Sequence, residues 1–215
     1  MLHLMLADIR ANRSVLVLDP KADLVNDVLA RIPEECADDV VVIDPSEISP
    51  CGFNPLAFKD YGTPALLADS ILSVMTEIFA DSWGIRTADI LNAAPLTLVV
   101  VEGATLLCLP ALLTDEDSRM KIINQIDDRV ALLPFWEQFN ILKDSERRQH
   151  VDPVLNKVRQ FLLQPGLRNV LGQAKPKFTL TDLFIKRKIV LVPLNRGLIG
   201  GESARLIGSL IAGLT

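Results

Sequence analysis

The chain has 215 residues, enough for one domain or two small ones, and 49% of them are hydrophobic with a mean hydropathy of +0.30, which excludes disorder over most of its length. A formal charge of −5 excludes a chain-wide electrostatic grip on nucleic acid and leaves only a local one. The 3 cysteines, Cys36, Cys51 and Cys108, form no C-x-x-C pair, and the 2 histidines, His3 and His150, have no partner at metal-ligand spacing; reduced thiols and no metal centre are expected.

The N-terminal stretch MLHLMLADIRANR reads as the end of an amphipathic helix with Leu2, Leu6 and Ile9 on one face. Two short apolar runs, SVLVLDP and DVVVIDP, follow it, each ending in Asp-Pro, and the segment between them carries apolar residues at helical spacing: Leu24, Val28, Leu29 and Ile32. This predicts a β-α-β unit. Apolar runs without alternation suit a parallel sheet covered on both faces, with Asp19 and Asp44 at the carboxyl ends of neighbouring strands, where open α/β sheets hold their ligands. Turn chemistry alone explains Asp44; for Asp19, followed by Lys21, the turn and a ligand role stand level.

Pro50–Phe58 has turn residues and no period, so it reads as a loop. From Thr63-Pro64, an N-cap followed by proline at the first helical position, the period is helical, with Leu67, Ile71, Val74 and Ile78 in a stripe. The apolar run 90–113 contains Glu102, Pro95, Gly103 and Pro110, and reads as a pair of buried helices rather than a membrane span. Thr114–Asp117 is a capping-box variant before Met120, Ile123 and Ile126; a longer helix after Asp144 turns Val151, Val154, Leu155, Val158 and Phe161 inward, with Pro153 either kinking it or marking its start. Phe135, Trp136 and Phe139 read as core aromatics at helical spacing, with a stacking platform for bases as the weaker alternative. A short helix ends at Gly172.

The period then returns to a strand, KRKIVLVPL, a glycine-rich turn, NRGLIGGES, and a helix in which Ala204, Gly208 and Ala212 recur at every fourth position. The predicted organisation is an α/β part over 1–61, an all-helical insertion over 62–174 and a return to α/β over 175–215. The turn is not a complete phosphate-binding loop, because Glu202 follows Gly201 where such a loop has lysine. Gly197, Gly200 and Gly201 fit a left-handed turn, and Asn195 and Arg196 remain available to a nucleotide or a neighbouring subunit. No G-x-x-x-x-G-K-[ST], no apolar strand ending in Asp-Glu and no nucleophile constellation occurs in the chain, so no catalytic residue is assigned. The basic clusters Arg147/Arg148/His150, Lys157/Arg159, Lys175/Lys177 and Lys186/Arg187/Lys188 fit solvated faces; the first two lie in the helical part and are the candidates for a local nucleic-acid contact.

The segments LADIRANRSVLVLDPKADLVNDVLARIP, GFNPL, RTADILNAA, LLTDEDSR, PVLNKVRQFL and IVLVPLNRGLIGGESARLIGSLI, in this order, resemble the conjugative coupling proteins of type IV secretion, the TraG/TraD class within the FtsK/HerA-like ATPases. The resemblance implies a RecA-like P-loop NTPase core with a parallel sheet and an inserted all-α domain. It implies hexameric DNA-translocating ATPases that use ATP and Mg, contact DNA and a relaxase-bound substrate, and work at the inner face of the plasma membrane. It places the phosphate loop just before the helix ending at Ala11-Asn12-Arg13 and the magnesium-holding strand just after the C-terminal helix, so the chain looks like the interval between the two motifs and is not expected to hydrolyse ATP alone. The expected nucleotide-proximal residues are Asp19, Lys21, Asn195, Arg196 and Gly197, and the expected nucleic-acid contacts Arg147, Arg148, Lys157 and Arg159. Two departures stand out: Ala22 where the family commonly has glycine, and Pro95 in a helix the family keeps continuous. A stand-alone binding or assembly module, or a remnant of such a motor, is the alternative.

Overall fold

The computed structural model describes residues 1–57, 63–78 and 85–215, the last of these with backbone alone for 85–87. The protein is mixed α/β, mostly helical, with a small parallel sheet, and it divides into two compact units: Met1–Asn54 with Gln164–Gly213 and Thr215, and Pro55–Leu163 with Leu214.

In the first unit three strands, β1 (Val15–Asp19), β2 (Val40–Val42) and β3 (Ile189–Pro193), pair in the order β1-β3-β2, all parallel. Asp19 and Asp44 therefore do not end neighbouring strands, since the strand from the far end of the sequence lies between them. β3 is buried at every position, as a central parallel strand requires. Pro193 is tolerated at its end because of register. Leu194 N–H donates to the Asp19 carbonyl at 2.8 Å, so even-numbered amides of this stretch face β1, whereas Ile43 N–H donates to Leu191 on the other side. The missing proline N–H falls on the β2 side, where the ladder stops after Val42.

Helix α1 (Leu2–Arg10) and helix α2 (Asp23–Leu29) cover β1 and β3: Leu6, Ile9, Val15, Val17, Val25, Val28, Ile189 and Leu191 form one buried cluster, with Leu2 packed at its margin. A 3-10 segment of about two turns, Glu34–Asp39, leads into β2, and Lys188 Nζ ties it to the start of β3 through the Asp38 carbonyl and the Asp39 carboxylate, both at 2.8 Å.

The second-unit helices are α3 (Pro64–Ile78), α4 (Ile85–Val99), α5 (Leu109–Thr114), α6 (Glu116–Ile123), α7 (Leu132–Ile141) and α8 (Asp144–Leu162), and among the described residues it contains no strand. The α8 residues Val151, Val154, Leu155, Val158 and Phe161 are all buried, as their spacing predicts, and the helix runs through Pro153. α4 likewise continues through Pro95. Burial of Ile90, Leu91, Ala94 and Leu98 at 0–1% exposure offsets the roughly 3 kcal/mol that an interior proline costs. Trp136 is fully buried and its Nε1–H donates to Thr97 Oγ1 at 2.8 Å, so its one polar atom is satisfied inside the core. The cap predicted at Thr114 sits one residue later: Thr114 ends α5 with its hydroxyl bonded to the Pro110 carbonyl, while the Asp115 carboxylate accepts from Ser118 N–H at 2.6 Å and starts α6. No helix among the described residues is long and apolar enough to cross a membrane.

After these come α9 (Pro165–Leu171), α10 (Leu180–Ile185), β3, α11 (Arg196–Ile199) and α12 (Gly201–Gly213), all in the first unit. The expected boundary at 174 thus falls too late. α9 belongs with the sheet because Phe53 N–H bonds to the Val170 carbonyl, Gln173 Nε2 bonds to the Pro50 carbonyl, and Gly166 approaches the Pro45 carbonyl so closely that no Cβ would fit. The expected boundary at 61/62 lies outside the described residues. What was expected to be a simple turn at 195–203 contains the short α11, and of its glycines only Gly200 has a positive φ, +82°. The buried stripe of α12 is Ser203, Ala204, Leu206, Ile207, Leu210 and Ile211; Ala212 is exposed.

Ala22 holds a left-handed conformation, φ 68° and ψ −5°, at the N-cap of α2. A Cβ there costs roughly 1–2 kcal/mol, partly offset by burial of its methyl. Ala22→Gly should therefore raise stability by about 0.5–1 kcal/mol in denaturant unfolding; a loss of stability would show that the methyl's packing outweighs the backbone strain.

Candidate functional site

At the carboxyl edge of the sheet, Asp19 is paired in register with Pro193, so the turn 19–21 lies beside the turn 194–197. The fold thereby brings all five nucleotide-proximal candidates, Asp19, Lys21, Asn195, Arg196 and Gly197, to one edge. Their chemistry differs. Asp19 is 8% exposed; its Oδ1 accepts from Lys21 N–H at 3.0 Å, and its Oδ2 from Leu24 N–H at 2.7 Å and Val25 N–H at 3.1 Å. The carboxylate thus closes the turn and caps the first amides of α2. Burial alone would raise its pKa, but the backbone N–H groups of Lys21, Val25, Leu24 and Ala22 together hold it below the usual carboxylate value. Asp44 makes a similar local turn, accepting from Ser46 N–H at 2.8 Å and Ser46 Oγ–H at 2.7 Å.

The Lys21 side chain is exposed and has no ion pair among the described residues. Asn195 Oδ1 accepts from Gly197 N–H at 3.0 Å and so starts α11, while Arg196 and Gly197 are exposed. These groups do not by themselves fit ATP with Mg. The Asp19 oxygens are already taken by amides, and the exposed carboxylate of Glu202 occupies the first turn of α12, where it would repel a phosphate. Among the described residues no cluster of three His, Cys, Asp or Glu is placed to hold a metal ion.

In the helical unit the four basic candidates separate. At about 100° per residue, Arg148 and Arg159 lie about 20° apart around α8, whereas Lys157 is about 180° from Arg148. Arg147, Arg148 and Arg159 line one concavity of about 550 Å³ with Asp144, Asp152 and the end of α5; Lys157 does not. Arg147 sits towards the buried stripe. Its Nη2 donates to the carbonyls of Asn140 at 3.1 Å and Leu142 at 3.0 Å, closing the C-terminal end of α7. Arg148 and Arg159 are exposed and unpaired among the described residues.

Arg119 is a residue the sequence reading passed over. It is 1% exposed, donates from Nε to Asn140 Oδ1 at 2.7 Å and from Nη1 to the Leu112 carbonyl at 3.3 Å, and lies 5.2 Å from the centroid of the Phe139 ring, with Arg147 5.7 Å from the same ring. Burial first, then the like charge of Arg147, lowers its pKa. The signal was present: Arg119 stands at i−4 and i−7 from the buried Ile123 and Ile126, on the inward stripe. Of the C-terminal basic cluster, Lys186 pairs with Asp182 at 2.7 Å and Lys188 with Asp39, so both are structural.

A protein-family model described as type IV secretory system conjugative DNA transfer matches residues 7–164. No curated protein matches the chain.

Asp19→Ala should destabilise the protein by about 1–2 kcal/mol by uncapping α2. Because the folded pKa is depressed, the carboxylate's contribution is complete above the unfolded value near 3.9 and disappears as pH falls through the folded value, so the gap between wild type and Asp19→Asn should be widest at neutral pH and close below about pH 4. A gap independent of pH in urea melts would contradict the assignment. Arg147→Met should cost about 1–3 kcal/mol by leaving the α7 carbonyls without donors; an unchanged midpoint would show that water replaces the guanidinium.

Proposed function

The chain belongs to the type IV secretory system conjugative DNA transfer family, and on that premise we propose that it forms the middle of a coupling-protein motor of the TraG/TraD class. The observation that carries this reading is the continuous family match over 7–164, which spans strands β1 and β2 and the whole of α3–α8. In this reading the first unit is part of a RecA-like ATPase core and the helical unit is its insertion, which meets the DNA or its relaxase-bound end.

Two features support the assignment of the first unit to a larger core. Parallel sheets are ordinarily covered and extended on both sides, yet here β1 and β2 each pair only with β3 among the described residues. The exposed Lys21 and Arg196, together with Asn195 at the start of α11, share the sheet edge at which α/β proteins hold ligands, without forming a phosphate cradle of their own. A phosphate-binding loop and a magnesium-holding strand would then come from polypeptide outside these 215 residues, and ATP and Mg would bind between them and this edge, or at the boundary with the next subunit of a hexamer at the inner face of the plasma membrane. The chain alone would not hydrolyse ATP. The absence of a Gly-Lys loop from the sequence also favours a second reading, a non-enzymatic docking module of the same secretion system.

Removing this protein from its source cells should abolish conjugative transfer of their mobile DNA, measured as transconjugants per donor; an undiminished frequency would contradict the proposal. In a polypeptide carrying both nucleotide motifs, Lys21→Ala should lower DNA-stimulated ATP turnover in the motor reading and leave transfer unaffected by ATPase loss in the docking reading.

A further inference from the structure

We propose that the concavity between the end of α5 and the outer face of α8 holds the phosphates of a nucleic-acid strand, with Arg148 and Arg159 as the contacting residues and Arg147 as a positioning residue beneath them. This inference rests on the reading of the helical unit as the part that meets DNA, and it names the surface and the groups that do so.

Four observations converge. First, Arg148 and Arg159 share one face of α8 and one concavity of about 550 Å³, and both guanidinium groups are exposed. Asp144 and Asp152 stand four residues to either side of Arg148, the usual spacing for helical ion pairs, yet Arg148 pairs with neither. Second, Arg147 Nε is buried and has no hydrogen-bond partner among the described residues, although its Nη2 is fixed by two carbonyls and its Nη1 stands 3.7 Å from Asp144 Oδ1. Third, Arg119 places a fully buried positive charge 5.2 Å from the centroid of the Phe139 ring, with carbonyl and amide oxygens as its bonded partners and no carboxylate in an ion pair with it among the described residues. Such a charge is weakly screened and adds to the field at the concavity.

Fourth, the spacing selects a polymer. The eleven steps from Arg148 to Arg159 span about 16 Å of helix, farther than one phosphate group can bridge. The two arginines therefore meet different phosphates of one chain, and a lone phosphate or a mononucleotide engages only one of them well. The two carboxylates oppose the anion. They leave the lining with three arginines against two aspartates, a net charge of one positive, so the grip is local and modest, as the acidic chain as a whole requires. Lys157, on the far side of α8, is outside the site.

The test is the salt dependence of binding between the 215-residue chain and a labelled single-stranded DNA oligonucleotide, followed by fluorescence anisotropy. Relative to wild type, Arg148→Ala/Arg159→Ala should lower the slope of log K against log salt by about 1.4, near 0.7 per lost phosphate contact. Lys157→Ala should leave the slope unchanged, and Asp152→Asn should tighten binding. The exposed positions make unaltered circular dichroism and melting the expected control. DNA binding by the double variant with the wild-type slope would overturn this site while leaving the family role to the transfer assay. No DNA binding by the wild-type chain would overturn the inference together with the DNA contact of the helical unit. Displacement of the oligonucleotide by inorganic phosphate or ATP at equal phosphate concentration would overturn the choice of a nucleic-acid strand in favour of a small anion.

Discussion

The first unit depends on the Asp19 carboxylate. It sits where β1 ends, and through one side chain it closes the turn at Lys21 and caps Leu24 and Val25 of α2, while its carbonyl takes the last ladder bond from Leu194. Strand, helix and central strand are thus joined at a single residue. A buried carboxylate is costly unless its oxygens are bonded, and here the backbone amides supply the bonds. The same arrangement removes Asp19 from the pool of groups able to handle a ligand. It leaves Lys21 and Arg196 as the free cations of that edge.

The helical unit solves a comparable problem with arginine. Two guanidinium groups, Arg119 and Arg147, converge on Asn140 and Phe139, and the negative ends of α5 and α7 provide most of their partners, with Asp144 at 3.7 Å from Arg147 Nη1. Cation-ring contact and carbonyl bonding offset the loss of hydration. Arg147 and Arg148 are neighbours in sequence, but they differ by about 100° around α8, which separates the one that closes α7 from the exposed one.

Much of this was legible in the sequence where a period was long. The α8 stripe, the α3 start at Thr63-Pro64 and the parallel character of the apolar strands followed from spacing alone. What spacing does not encode is long-range order: nothing local in DVVVIDP says that a strand from residues 189–193 lies between it and SVLVLDP. Proline rules misled at Pro95, because its cost is met by tertiary burial of its helix neighbours Ile90, Leu91, Ala94 and Leu98. Caps were placed to within one residue, Asp115 replacing Thr114, since both types cap well and only the backbone geometry decides. For the candidate sites, residue type did not say which basic groups are free, because the pairing of Lys188 with Asp39 and the docking of Arg147 on the end of α7 are tertiary facts.

The sheet edge carries exposed cations, Lys21 and Arg196, but no cradle for the phosphates of a nucleotide, and the proposed motor role depends on that. Calorimetric titration of the 215-residue chain with ATP and Mg tests it most directly. The account predicts no saturable binding. Stoichiometric, saturable binding that disappears in Lys21→Ala would contradict it and show that this edge is a nucleotide site in its own right.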